Sequence, residues 1–463
     1  MSNMIYYRTQ NIDGLWAKVE EREFDIKKFI HRSKFDLIKN RFYEKNIELI
    51  IGPRQSGKTT ILFMLIFNLL QHHNIKSDQI FYISLDSIFD LSEFENPMFF
   101  LRKLKDFYSK EKRIFLFIDE IQRLKNPGKF LKGIYDLDKN IKIFVTGSSS
   151  LEIKAKIKEF LTGRKKESLI LPISFKEYLD DEKAIKNLKQ FENLSIKSLQ
   201  YWLENENLYG KYLSNRMNEF AILGSYPAIL NQNKNEKKKE ELWEIYNSYI
   251  KKDIVYFMNI AKVNIYNNLV KTLSSQIGNL INKSEISSLI GSNMLTISKY
   301  INILQETYVI YQLPPYVSNR RNEIKSTHKC YFLDNGIRNL SINQFSKIND
   351  RADKGALLEN IVFNEFMKNK TLDEEIYFWR TKAGAEMDFV LQKDNEIILV
   401  ELKAGTAKNK TLSKSFYAFL NHFKPRKAIF LNRDYFGIKV IDKTNVFFIP
   451  IHWFLLFGPK IVY

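Results

Sequence analysis

The stretch Gly52-Pro53-Arg54-Gln55-Ser56-Gly57-Lys58-Thr59-Thr60 decides how the first part of this chain is read. It fits the Walker A spacing, with Gly52 and Gly57 bracketing a loop that ends in Lys58-Thr59. Glycine lets such a loop curl so that backbone N–H groups face phosphate oxygens. The helix that follows adds the positive end of its dipole. Lys58 is then placed to reach the β- and γ-phosphates of ATP, and the Thr59 hydroxyl to ligate Mg²⁺. Pro53, Arg54, Gln55, Ser56 and Thr60 complete the cradle. The context supports the motif: ELII (48–51) is a short buried strand, and ILFMLIFNLLQ (61–71) has a helical pattern.

Working outward, three more apolar runs follow: IFYISLD (80–86), RIFLFIDE (113–120) and IKIFVTGSSS (141–150). They alternate with segments of helical period, which predicts a parallel sheet covered on both faces. RIFLFIDE presents two carboxylates at the end of an apolar strand, the Walker B arrangement. Asp119 would hold the magnesium, directly or through water, and Glu120 would polarise the attacking water. Thr146 and Ser148 end the next strand, where a polar side chain can meet the γ-phosphate.

The 463 residues are 44% hydrophobic, 14% aromatic and 27% charged, which excludes a disordered or collagen-like chain. The length suits about three domains. Lys and Arg number 72 against 53 Asp and Glu, a net +19 that favours an anionic partner such as nucleic acid or a membrane surface. The single cysteine, Cys330, rules out an intrachain disulfide or a zinc site and suits a reducing cytosol. MSNMIYYRTQ at the start has no apolar signal core. The most apolar run, 446–458, contains Pro450 and His452 and is too short to span a bilayer. It is expected as a buried strand and helix, and the protein as cytoplasmic without a membrane partner.

Four segments are expected: an ATPase domain over 1–180 with a basic helical lead-in to about residue 47, a helical lid or connector over 181–260, a winged helix over 261–333 and an α/β domain over 334–463. NQNKNEKKKE (231–240) reads as a solvated linker or loop. KSEISSLI (283–290) predicts a helix with Ser284 near its cap, 291–293 a turn, and 294–306 a second helix. On that second helix Leu295, Ile297, Ile301 and Leu304 are apolar positions, with Thr296, Ser298, Lys299 and Asn302 on the polar side. A hairpin over 308–333 would form the wing, its tip carrying Arg320, Arg321 and Lys325. Such a fold either contacts DNA or packs between subunits.

In the last segment, MDFVLQK (387–393) and EIILVELK (396–403) are apolar-rich strands joined by Asp394-Asn395. Both turn residues tolerate positive φ, as a two-residue hairpin requires. Closing the hairpin there sets Asp388 opposite Glu401 and Glu386 opposite Lys403, and strand period two puts Lys403 on the face of Glu401. Facing carboxylates repel. A second Mg²⁺ or Mn²⁺ held by Asp388 and Glu401 would remove that cost and activate water for phosphodiester attack. Lys403 would orient the water or stabilise the pentavalent phosphate. Cross-strand salt bridges on a surface hairpin, Asp388 to Lys403 among them, would leave the same letters.

GPRQSGKTT, FIDEIQ, VTGSSS, LTGRKK and LPISFKEYL occur in this order, followed by GSYPAIL (224–230), YIKKDI (249–254) and YFLDNGIRN (331–339). From about residue 40 onward the chain thus resembles prokaryotic AAA+-like ATPases with a winged-helix segment and a C-terminal restriction-endonuclease-like (PD-(D/E)xK) domain. The resemblance implies that Arg164, in LTGR, is an arginine finger whose fork neutralises charge on the γ-phosphate. A finger acting in trans requires a homo-oligomer, and the family suggests a hexameric ring. The resemblance also makes Asp388, Glu401 and Lys403 a D…ExK nuclease set. Glu359, on the helix GALLENIVFNEF (355–366), becomes its extra acidic residue. The implied partner is DNA, duplex or branched, with junction DNA in repair or recombination as the leading substrate. Three alternatives stand beside this. Arg164 is a basic residue in a solvated run with Lys165 and Lys166. The ATPase is a nucleotide-dependent switch. Or the chain is a winged-helix regulator without nuclease turnover.

Overall fold

The computed structural model describes residues 29–73, 75–87, 91–105, 112–147, 160–179, 185–257, 259–317, 326–405 and 412–462. Ser148, the expected wing-tip residues Arg320, Arg321 and Lys325, and residues 1–28 of the lead-in lie outside them. The chain divides into two compact units at Leu171/Pro172, with Glu306–Tyr308 belonging to the first.

The first unit is built on a parallel sheet of five strands in the order β2-β3-β4-β1-β5. These are β1 (Ile47–Ile51), β2 (Ile80–Ser84), β3 (Ile114–Asp119), β4 (Ile141–Gly147) and β5 (Lys165–Leu169). The first four are buried throughout, as near-continuous apolar strands covered on both faces should be. Alternation divides their side chains between two cores. Leu49, Leu116 and Val145 pack with Phe100 and Leu131 of the helices Pro97–Lys105 and Pro127–Leu137. Ile50, Phe117 and Phe144 pack with the helix Lys58–His72, Phe117 and Phe144 stacking with centroids 4.7 Å apart. No apolar run announces β5: KKESL is mostly polar, and the strand forms because the open edge of β1 takes it up. Since every strand runs the same way, β1, β3 and β4 all deliver their C-terminal ends to one edge of the sheet. That edge is where parallel α/β sheets bind ligands.

The second unit contains a six-stranded mixed sheet in the order β12-β13-β11-β10-β9-β8. Its strands are β8 (Glu374–Arg380), β9 (Glu386–Lys393), β10 (Glu396–Leu402), β11 (Lys427–Asn432), β12 (Gly437–Ile441) and β13 (Thr444–Pro450). The β9–β10 hairpin closes in the expected register, from Glu396 beside Lys393 to Val400 beside Phe389, with Asp394 at φ 51°. The apolar run near the end forms β13 and the helix Ile451–Ile461, both largely buried.

The helices Lys283–Ile290 and Met294–Glu306 are present with Gly291 at φ 70° between them. A short hairpin follows, β6 (Ile310–Leu313) paired with β7 (Lys329–Phe332). Ser284 lies near the cap of the first helix; the cap itself is Asn282, whose side chain accepts the Glu285 N–H at 3.2 Å. Two expectations need correction. Leu295 is 85% exposed, because the buried stripe runs through Ile297, Ile301 and Leu304 and position 295 falls off it. The charge run 231–240 is not a loop: a helix spans Asn235–Ile245, burying Lys238, Leu242 and Ile245 at helical spacing, with the Lys238 ammonium paired to Glu219.

Candidate functional site

At the end of β1 the chain turns at Gly52. A Cβ there would stand 2.1 Å from the Ile170 carbonyl oxygen, because Ile170 N–H is bound to Ile51 O at 2.7 Å. Only glycine lets β1 and the segment after β5 approach so closely. Gln55 (φ 61°) and Gly57 (φ 95°) then curl the loop into the N-terminus of the helix Lys58–His72. Lys58 is buried, its Nζ donating to Pro53 O at 2.8 Å and Gly52 O at 3.2 Å. Burial draws its pKa below the ordinary lysine value, against the pull of Glu120 and Asp119. The Ser56 hydroxyl is buried with no hydrogen-bond partner among the described residues, which leaves it available to a phosphate oxygen.

The second half of the site closes around Asp119, which is buried. Its Oδ2 accepts from Thr59 Oγ1 at 2.8 Å and from the Tyr82 hydroxyl at 3.2 Å, and its Oδ1 accepts from Thr146 Oγ1. The Thr146 hydroxyl in turn accepts the Glu120 N–H at 3.0 Å. Glu120 has left-handed backbone (φ 58°), and its carboxylate accepts from the Gln122 amide. Burial, followed by the adjacent Glu120, raises the Asp119 pKa; Thr146, Thr59 and Lys58 oppose the rise. The expected Walker residues therefore converge on one sheet edge. Thr146 acts there through its bonds to Asp119 and Glu120. A magnesium ion suits this set, since Thr59 and Asp119 already share a hydrogen bond that ligation would replace.

Three contributors carried no signal in the sequence. Arg32 donates to Ser56 O at 3.0 Å and Leu171 O at 2.6 Å, bracing the loop from the lead-in. Tyr82 reaches Asp119 because β2 lies beside β3 with Tyr82 opposite Phe117. Gln122 follows the strand end, and its amide donates to the Glu120 carboxylate.

Arg164 lies at the other edge of the sheet. Its carbonyl accepts the Ile47 N–H at 2.9 Å, and Ile47 pairs with Lys165 in parallel, so Arg164 stands where β1 begins and the P-loop where β1 ends. Its guanidinium pairs with Asp136 at 3.2 Å and lies over the Tyr135 ring. It is thus turned away from its own nucleotide site.

In the second unit, the hairpin register carried on by one residue sets Asp388 beside Glu401, and Leu402 N–H donates to Asp388 Oδ2 at 2.7 Å. Lys403 pairs with Glu401 at 2.6 Å rather than with Asp388. Glu386, expected opposite Lys403, is held by Lys329 at 2.7 Å and Arg380 at 3.4 Å. Glu359 accepts from the Tyr331 hydroxyl and lies 3.6 Å from Lys329 Nζ. Loss of solvent and then the charge of Asp388 push both Glu359 and Glu401 up to about 7. Burial works against the Lys329 ammonium, but Glu359, Asp388 and Glu386 outweigh it and push Lys329 up to about 12. Glu401 Oε2 is buried without a hydrogen-bond partner among the described residues. This orphaned acceptor suits a cation held by Asp388 and Glu401. Among the described residues no three His, Cys, Asp or Glu side chains are grouped so as to hold one metal ion, so Glu359 does not complete a set of ligands.

Residues 44–179 match the AAA domain family, and with the parallel sheet, P-loop and carboxylate strand end they form an AAA-type P-loop ATPase domain. Residues 214–347 and 354–454 match two domains of unknown function, DUF8612 and DUF4143. Along nearly its whole length the chain is similar to an uncharacterized protein of Methanocaldococcus jannaschii, 29% identical over 455 residues, covering 94% of this chain and 91% of that one. An uncharacterized protein of Haemophilus influenzae is 26% identical over 416 residues, covering 88% and 94%. Among solved structures, the Walker-type ATPase of Pyrococcus abyssi is similar with a TM-score of 0.40 and 13% identity, over 68% of this chain and 96% of that one. Among the described residues no helix is long and apolar enough to cross a membrane.

Proposed function

We propose that this chain hydrolyses ATP and uses the turnover to act on DNA. The observation that carries the first half is the chain of hydrogen bonds Thr59–Asp119–Thr146–Glu120, which ties both ends of the nucleotide site together. The P-loop N–H groups and Lys58 bind the phosphates, Thr59 and Asp119 hold the magnesium, and Glu120 takes the proton of the attacking water. Bound magnesium offsets charge on the phosphate oxygens. Arg164 serves a neighbour's site in a homo-oligomer, for which the family resemblance supports a hexameric ring. The net charge of +19 supports DNA as the partner. Branched or duplex DNA in repair is the form favoured by coupling an ATPase to a nuclease-like domain. The test is the ATPase rate with single-stranded, duplex and four-way DNA. A several-fold stimulation supports the reading; slow turnover indifferent to all three makes the protein a nucleotide-dependent switch.

A second activity is favoured by one observation, the unpartnered buried Glu401 Oε2. On this reading Asp388 and Glu401 hold Mg²⁺ or Mn²⁺ and Lys403 steadies the phosphate during phosphodiester cleavage. Glu359 enters the same acidic cluster without ligating the metal.

A further inference from the structure

The β6–β7 hairpin carries a lysine into the C-terminal carboxylate cluster. Lys329 pairs with Leu313 across the hairpin, and its side chain is only 3% exposed. Its ammonium lies 2.7 Å from Glu386 Oε1 and 3.6 Å from Glu359 Oε1, with the Phe378 ring centroid at 5.4 Å. An ammonium taken out of water persists only where carboxylates surround it. Among the described residues, Arg380 shares Glu386 and Lys403 takes Glu401 Oε1. The protein's own cation thus occupies Glu359 and Glu386. Asp388 and Glu401 are left as a pair with one orphaned oxygen.

We propose that Lys329 is the resident cation of this cluster, holding Glu359 and Glu386 and so weakening the affinity of the Asp388–Glu401 pair for a divalent metal ion. The proposal rests on the second reading above, in which those two carboxylates hold a metal. An ammonium and a divalent ion repel each other within one carboxylate cluster and draw on the same negative charge, so each disfavours the other. Because Lys329 belongs to the hairpin and the carboxylates to the following domain, a shift of β7 would alter metal loading without any change in the ligands.

The test is Mn²⁺ binding to the full-length chain without nucleotide, followed by electron paramagnetic resonance. Asp388→Asn identifies the ion bound at this site and separates it from any at the P-loop. The expected result is weak Asp388-dependent binding in the wild type, similar binding in Lys329→Arg, and binding at least roughly tenfold tighter in Lys329→Met. Equal or weaker binding in a folded Lys329→Met overturns the role of Lys329 while leaving the metal pair in place. No Asp388-dependent ion in either protein overturns the metal pair as well. Should Lys329→Met fail to fold, the wild type decides. An Asp388-dependent Kd tighter than about 100 µM overturns the proposal, and a weaker one supports it.

Discussion

Thr59 and Asp119, sixty residues apart in the chain, are joined by a 2.8 Å hydrogen bond from Thr59 Oγ1 to Asp119 Oδ2. The bond exists because β1 and β3 flank β4 in parallel and finish at the same edge. It sets the two expected magnesium ligands side by side before any ion arrives, so binding exchanges one contact for another without rearranging the backbone.

From this arrangement, Lys58→Ala is expected to lose nucleotide binding or turnover. Glu120→Gln should bind ATP near normally and hydrolyse it roughly a hundredfold more slowly, since magnesium ligation survives and proton transfer does not. Fluorescent-nucleotide binding beside phosphate release checks both. Unchanged hydrolysis in both variants would remove the assignment.

Gly52→Ala places a Cβ 2.1 Å from the Ile170 carbonyl, a backbone atom that cannot swing aside. The first unit should lose about 2 kcal/mol or more of stability. Denaturant melts measure it, and a neutral substitution would contradict the close approach.

Arg164→Ala should bind ATP normally yet hydrolyse it poorly. Its pair with Asp136 is solvent-exposed, so the fold should lose no more than about 1 kcal/mol. Mixing Arg164→Ala with Lys58→Ala subunits should restore part of the activity at interfaces that combine an intact P-loop with an intact arginine. A fully active monomer by light scattering, in the presence of ATP and DNA, would refute a finger in trans.

Glu359 and Glu401, pushed up to about 7 from 4.5, hold their protons more tightly in the folded chain than in the unfolded one. The stability this contributes is complete below pH 4.5 and is lost as the pH rises through about 7. Asp353, held down to about 2 by Arg351 and Arg338 despite burial, titrates outside that window. Melting of the second unit should therefore fall between pH 5 and pH 8, and Glu359→Gln with Glu401→Gln should flatten the slope. An identical slope in the double variant would contradict the cluster's electrostatics.

If the Asp388–Glu401 pair is catalytic, the protein should nick DNA with Mg²⁺ or Mn²⁺ and fail with EDTA. Asp388→Asn should abolish nicking while sparing ATP hydrolysis, and Lys403→Ala should slow it. A wild-type preparation that leaves single-stranded, duplex, forked and four-way DNA intact would reduce the domain to a scaffold.

Local signals were enough for much of this protein. Phosphate loops need glycine at fixed offsets, and buried parallel strands are apolar throughout, so Gly52 to Thr60, Asp119 and Glu120 were legible from residue type and spacing. The β9–β10 register was legible as well, because a two-residue turn at Asp394-Asn395 leaves one pairing. What neighbours only in space was not legible. KKESL became a strand because β1 had an open edge, and Arg32 and Tyr82 reach the nucleotide site across elements whose order no local pattern states. Lys329 is the clearest case. As a letter it is one of 72 basic residues, and its partners Glu359 and Glu386 belong to other elements. Charge pairing under burial depends on distance after folding, and distance is what tertiary structure alone decides.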